Sequence, residues 1–179
     1  KSPITLGFDK SSVRESLASV FYNKSFKYKY SDNIIERNLA LIEFGLGLNY
    51  NKESLKNKLP YLYSSKTFIV NSLSNVKKNI LIVPGASFKS KQYSVIKFNA
   101  LTKELDANFL IIWGNQKEKS DAYKIKGSGF NVSICDKLSI SSLVSLIDQV
   151  DLVIGADTGP THIAWALNKP SITLFGPTP

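Results

Sequence analysis

Between residues 79 and 175 the chain alternates short apolar runs with longer amphipathic ones, and few architectures accept that rhythm. The apolar runs at 80–83, 109–113, 132–134, 152–154 and 172–175 are rich in Ile, Val, Leu and Phe. Their length and composition predict short, buried β-strands. Between them Val95, Phe98, Leu101 and Leu105 recur at helical spacing, as do Ile140, Leu143, Val144 and Ile147. Strands alternating with helices predict an α/β fold, a parallel sheet with helices on both faces. Ligands of such sheets sit beyond the carboxyl ends of the strands. That rule singles out four loops, 84–91, 114–118, 135–139 and 155–161.

The residues before this region are less regular. A strand is expected over 4–8, and Ser12-Val-Arg-Glu15 has the form of a capping box opening a helix. Val13, Leu17 and Val20 would form the buried face of that helix. The aromatic and basic stretch 21–30 reads as loop. A second helix is expected from about Asp32, with Ile35, Leu39, Ile42 and Leu46 as its buried stripe. Residues 49–78, rich in Asn, Lys and Ser, read as a linker holding one extended piece at 67–70. The chain therefore divides into 1–74, the end of one domain with a linker, and 75–179, most of a second.

Composition narrows the classes. The absence of Met predicts an internal fragment of a longer protein. No run of about 18 apolar residues is present, so no membrane-spanning helix is expected. A single cysteine, Cys135, excludes an internal disulfide and fits a reducing cytoplasm. The net charge of +9 is uneven: residues 1–91 carry 15 Lys/Arg against 6 Asp/Glu, and residues 92–179 carry 8 against 8. A basic first half suits anionic lipid, nucleic acid or a phosphorylated substrate. The abundance of Lys, Asn and Ile beside only two Arg is equally what AT-rich coding writes.

The loops carry the chemistry. In Pro84-Gly-Ala-Ser-Phe-Lys-Ser-Lys91, Ser87 can donate to a phosphate oxygen and Lys91 can set a compact cation on it; the alternative is a solvated surface turn. The P-loop pattern G-x-x-x-x-G-K-[ST] is missing. Glu118, closing Trp113-Gly-Asn-Gln-Lys-Glu118, can accept from ribose hydroxyls or simply mark a helix start. Leu138 is either an apolar contact for a base or a loop residue tucked into the core. The strongest signal is Asp157-Thr-Gly-Pro-Thr-His162. Pro160 opens a helix, where its missing N–H is no loss. The free N–H groups and dipole of that helix start favour phosphate. Asp157 and Thr158 can alternatively serve only as caps, with His162 a packed helix residue. Asp157 and His162 alone make a thin metal site, and no G-x-S-x-G or G-x-G-x-x-G is present.

With Leu174-Phe-Gly-Pro-Thr178, this segment resembles the signature of the ADP-heptose:lipopolysaccharide heptosyltransferases, a GT-B glycosyltransferase family. Arg14-Glu-Ser-Leu-Ala-Ser-Val-Phe-Tyr-Asn23 is similar to the branch that adds the first heptose to Kdo-lipid A. The resemblance implies two Rossmann-like domains facing a cleft, and an inverting transfer without metal or cofactor. The donor would be ADP-heptose, the acceptor Kdo-lipid A, and the setting the anionic cytoplasmic face of the bacterial inner membrane, with no nucleic-acid partner. Ser87 and Lys91 would hold the diphosphate, Lys91 also stabilising the leaving group. Glu118 would hold the ribose and Leu138 the adenine. Asp157 would meet the heptose, Thr158 and Gly159 would offer N–H groups to phosphate, and His162 would line the pocket. Arg14 would face the acceptor. The general base would be an aspartate in a segment preceding these residues. Pro160-Thr161 stands where the family often has Leu-Ser. A nucleotide-sugar-binding module without catalysis is the rival reading, and a basic protein docking on membrane or nucleic acid a third.

Overall fold

A computed structural model describes residues 4–14, 16–51, 53–64 and 70–176. The chain forms two compact units, Lys1–Lys58 and Leu59–Pro179.

In the first unit β1 (Leu6–Phe8) and β2 (Lys24–Phe26) pair in parallel, Leu6 opposite Lys24 and Phe8 opposite Phe26. Part of the expected loop 21–30 is thus a strand. Its aromatic residues are used in packing: the Phe26 ring stacks on Phe44 at 4.9 Å and tilts against Phe8 at 6.4 Å. The expected helix after Ser12 is absent, and two 3-10 turns, Lys10–Ser12 and Ser16–Phe21, stand in its place. Local hydrogen bonding explains the first of them. Asp9 Oδ1 accepts from Ser11 N, Ser11 Oγ and Ser12 Oγ, and Ser12 Oγ accepts from Tyr28 N at 2.8 Å. The Ser12 hydroxyl is thereby drawn into a turn, and Glu15 of the expected capping box lies outside the described residues. Leu17 and Val20, assigned to a buried face, are 81% and 75% exposed.

The second helix, α1 (Ile34–Leu46), starts at an Asn33 cap that accepts from Ile35 N. It stops at Gly47, whose φ of 66° is the left-handed value glycine adopts without strain. Its expected stripe is only half realised, since Ile42 and Leu46 are exposed. The residue that α1 buries is Arg37, held between the Phe8 and Tyr30 rings and donating to Tyr30 O and Ser12 O. One turn of helix, α2 (Glu53–Lys56), follows.

In the second unit β3 (Asn79–Val83), β4 (Asn108–Ile111), β5 (Val132–Ile134), β6 (Leu152–Ala156) and β7 (Ser171–Leu174) form one parallel sheet. The connections carry α3 (Val95–Glu104), α4 (Gln116–Lys126), α5 (Ile140–Gln149) and α6 (Gly159–Ala166). The strand order is β5-β4-β3-β6-β7, which reverses direction between β3 and β6. Period-two alternation sends successive side chains to opposite faces. Leu81, Val83, Leu110 and Val153 pack with Val144, Ile147 and Ala164 of α5 and α6. Ile80, Ile82, Phe109, Ile111 and Ile154 pack with Phe98, Ala122 and Ile125 of α3 and α4. Fully burying a side chain such as Phe98 contributes about 1.5–3 kcal/mol. Two residues assigned to helix stripes miss the core, Leu105 and Ile140 being exposed. Leu105 follows the last residue of α3 and Ile140 is the first of α5.

The connecting segment joins the second unit earlier than the expected boundary near 74. Tyr61 N donates to Ala166 O, the Tyr61 ring meets Trp165 edge-on, and Val70 and Leu73 pack on the α5/α6 side of the core. Of the extended piece expected at 67–70, only Val70 lies within the described residues.

Candidate functional site

The point where strand order reverses opens a crevice, because the loops after β3 and β6 lead to opposite faces of the sheet. Here the crevice is a cavity of about 560 Å³. Gly85 and Ser87 line it from the loop after β3, Trp113, Asn115 and Glu118 from that after β4, Leu138 from that after β5, and Asp157, Thr158 and Gly159 from that after β6. Six of the nine residues singled out in the sequence thus share one cavity. Gly155 permits the switch point itself: a Cβ there would stand 2.6 Å from Val83 Cβ and 2.9 Å from Val83 O on the neighbouring strand.

Lys91 and His162 reach the cavity wall through Asp157. Lys91 Nζ donates to Asp157 Oδ2 at 3.1 Å, and His162 Nε2 lies 3.1 Å from Asp157 Oδ1. One carboxylate is therefore gripped from two sides by groups 66 and 5 residues away in sequence. The Lys91 hydrogen bond and charge, helped by His162, hold the Asp157 carboxyl below the usual carboxylate range, against the opposing effect of burial. In this state Lys91 is engaged by Asp157, and an anionic ligand must compete for it.

The helix start is more economical in donors than the sequence suggests. Thr158 N–H is given to Thr161 Oγ1 at 3.2 Å, and Thr161 Oγ1 donates to Thr158 O and Ala156 O. Pro160 has no N–H. Gly159, first in α6, keeps an N–H that the helix cannot use.

Glu118 is also engaged locally. Its carboxylate accepts from Gly114 N and Asn115 Nδ2, both at 2.7 Å, while Asn115 Oδ1 caps α4 by accepting from Glu118 N. Glu118 thus stands in the first turn of α4, whose cap is Asn115, and its carboxylate also lines the cavity. Gly85 passes close to it, and a Cβ there would stand 2.5 Å from the Glu118 carboxyl carbon. Trp113 and Asn115 carry no role in the sequence reading: Asn115 lies in the strand-end loop 114–118, and Trp113 ends the apolar run just before it. Trp113 Nε1 donates to Cys135 O at 2.7 Å, tying two of those loops together, and Lys119 Nζ lies 4.7 Å from the Trp113 ring centre. Burial, with the nearby Asp136 charge, pushes the Cys135 thiol up to about 11, which disfavours the nucleophilic thiolate at neutral pH. Arg14 belongs to the first unit, exposed between the two 3-10 turns. Among the described residues no group of three or more His, Cys, Asp or Glu is placed to hold a metal ion, and no helix is long and apolar enough to cross a membrane.

A crevice that offers a lysine, a helix start and hydroxyls on one wall and an aromatic and apolar surface on the other suits a nucleoside diphosphate. The model of glycosyltransferase family 9 (heptosyltransferase) matches residues 1–179. The chain is 38% identical over 191 residues to lipopolysaccharide heptosyltransferase 1 of Campylobacter coli, covering 97% of this chain and 55% of that protein. Its fold matches the E. coli heptosyltransferase WaaC with ADP, at a TM-score of 0.76 and 21% identity over 98% of this chain and 56% of that one. The same enzyme with ADP-2-deoxy-2-fluoro heptose matches at a TM-score of 0.76 and 22% identity, over 98% of this chain and 55% of that one. The architecture is thus of the GT-B kind, one Rossmann-like sheet domain with part of a second. The chain spans about half the length of the relatives it matches.

Proposed function

The chain belongs to glycosyltransferase family 9, the heptosyltransferases, and on that premise we propose that its parent protein transfers a heptose from ADP-heptose to the Kdo-lipid A inner core. The observation that carries this reading is the meeting of Ser87, Glu118, Leu138, Asp157, Thr158 and Gly159 in one cavity at the switch point. In this reading adenine lies by Leu138 and Trp113 and the ribose hydroxyls reach the Glu118 carboxylate. The diphosphate takes Ser87, the Gly159 N–H and Lys91, and the heptose meets Asp157 with His162 behind it. Arg14, in the first unit, is assigned to the acceptor.

The reaction is an inverting displacement. The acceptor hydroxyl oxygen forms the new bond to the anomeric carbon and loses its proton to a general base, while the bond to the diphosphate oxygen breaks and ADP leaves. Negative charge grows on that oxygen as the bond breaks, so Lys91 and the start of α6 stabilise the transition state more than the ground state. These groups take the part that a divalent cation plays elsewhere. The enzyme would act at the cytoplasmic face of the inner membrane, its basic first half attracted to anionic lipid.

Incubating the whole protein with ADP-heptose and Kdo-lipid A, and following the acceptor mass, tests the proposal. Transfer is expected. Removing Lys91 as Lys91→Ala, which deletes a charge-assisted contact of about 1.5–3 kcal/mol, lowers turnover by roughly tenfold to a hundredfold. ADP binding without transfer would leave a non-catalytic nucleotide-binding module, and no ADP binding would remove the donor site.

A further inference from the structure

Lys91 is delivered to Asp157 by a long loop that leaves β3 and crosses the carboxyl end of β6. Asp157 holds the end of this lysine, and the lysine backbone needs a support of its own. The support comes from the far side of β6, where the chain leaves β7. Gly176 lies so close to the turn Lys89–Lys91 that a Cβ there would stand 2.3 Å from Ser90 O and 2.9 Å from Lys91 Cα. Both are backbone atoms, which cannot swing aside as a side-chain end does. β3 and β7 flank β6 on its two sides. The contact between their following loops therefore forms a bridge over the β6 terminus, with Lys91 at its crown and Asp157 beneath it at 3.1 Å.

We propose that Gly176 is a positioning residue: its lack of a side chain lets the segment after β7 buttress the Ser90–Lys91 backbone, and that buttress aims the Lys91 ammonium into the anion-binding end of the cavity. The contribution to ligand binding rests on the donor-site reading above; the placement of Lys91 over Asp157 does not. Any side chain at 176, even a methyl group, pushes the turn away and withdraws Nζ from Asp157. Gly176 touches no substrate in this scheme and acts only through Lys91.

Three measurements test it. In the unsubstituted protein, an NMR cross-peak between Gly176 Hα and Lys91 Hα is expected, and its absence overturns the contact without need of a variant. In the ligand-free protein, Gly176→Ala should raise the Asp157 carboxyl pKa in the same direction and to a similar extent as Lys91→Ala. An Asp157 titration unchanged in a folded Gly176→Ala protein overturns the proposal, and should that variant not fold, the cross-peak decides. In calorimetry with ADP, Gly176→Ala should weaken binding about as much as Lys91→Ala, and by less than about twofold further when added to Lys91→Ala, since groups acting through one contact are not additive. Equal, additive losses in the two backgrounds would make Gly176 merely structural and refute the positioning role. If ADP does not bind the unsubstituted protein at all, the donor-site reading fails, while the cross-peak and the Asp157 titration still decide the role of Gly176.

Discussion

Replacing Asp157 by Asn should tighten ADP binding, although Asp157 stands in the middle of the site. In the ligand-free structure Lys91 Nζ is held by Asp157 Oδ2 at 3.1 Å, so a diphosphate must take the lysine from a carboxylate. At that separation two unit charges attract by about 1.3 kcal/mol in a water-like dielectric and about 5 kcal/mol at an effective dielectric near 20. Measured exposed pairs fall to about 0.2–1 kcal/mol once side-chain ordering and screening are included. The Lys91 and Asp157 side chains are 17% and 26% exposed, which puts this pair at about the top of that exposed range. Asp157→Asn keeps the shape and removes both this competition and the like-charge repulsion of carboxylate and diphosphate. A gain of about 1–1.4 kcal/mol corresponds to roughly fivefold to tenfold in the ADP dissociation constant. The assay is titration calorimetry at low ionic strength, repeated at about 1 M salt, where the Debye length is about 3 Å and the advantage should shrink. Heptose transfer by the same variant should fall, because the carboxylate assigned to the sugar is gone. Weaker or unchanged ADP binding at low salt would refute the argument that Asp157 competes with the ligand for Lys91.

Gly155→Ala forces a methyl group against Val83 Cβ and Val83 O at the centre of the sheet. Overpacking of this kind costs about 1–3 kcal/mol, or about 4–12 °C in Tm for a unit of this size; a calorimetric change under about 0.5 kcal/mol would count against the close approach of β3 and β6. Acid should destabilise the second unit through two carboxyls held below the ordinary value of about 3.9. Asp157 is lowered chiefly by Lys91 and Asp151 chiefly by Lys78. A carboxyl depressed on folding contributes stability above its unfolded pKa and loses it as pH falls through its folded pKa. Urea midpoints should therefore drop below about pH 4, and less steeply in Asp151→Asn; an identical pH profile for that variant would contradict the linkage. Cys135, its thiol pushed up to about 11, should react with iodoacetamide at pH 8 at least about tenfold more slowly than a free cysteine with a pKa near 8.5. Reaction as fast as the free thiol would show the side chain to be open.

What the sequence determined by itself was the periodic and the local. Five apolar runs separated by amphipathic ones dictate strands and crossover helices, and Pro160 marks a helix start because its missing N–H is no loss there. Once the sheet is parallel, the strand-end rule brings the four loops together, so most of the cavity wall could be read residue by residue. Tertiary structure decided the rest, since it turned on contacts between residues distant in the chain. The parallel pairing of β1 with β2 joins residues 18 apart, and the turn that replaces the expected helix at Ser12 is held by Tyr28 N and Arg37 from 16 and 25 residues away. Exposed Leu17 and Val20 show that helical spacing alone does not bury a face. The strand order, which sets the switch point between β3 and β6, leaves no mark in the alternation of strand and helix. Nor does the grip on Asp157: Lys91, Asp157 and His162 were each legible as polar residues near phosphate-friendly loops. That the lysine closes on the aspartate, beneath a backbone bridge only a glycine permits, is a matter of distance in space, which sequence spacing does not encode.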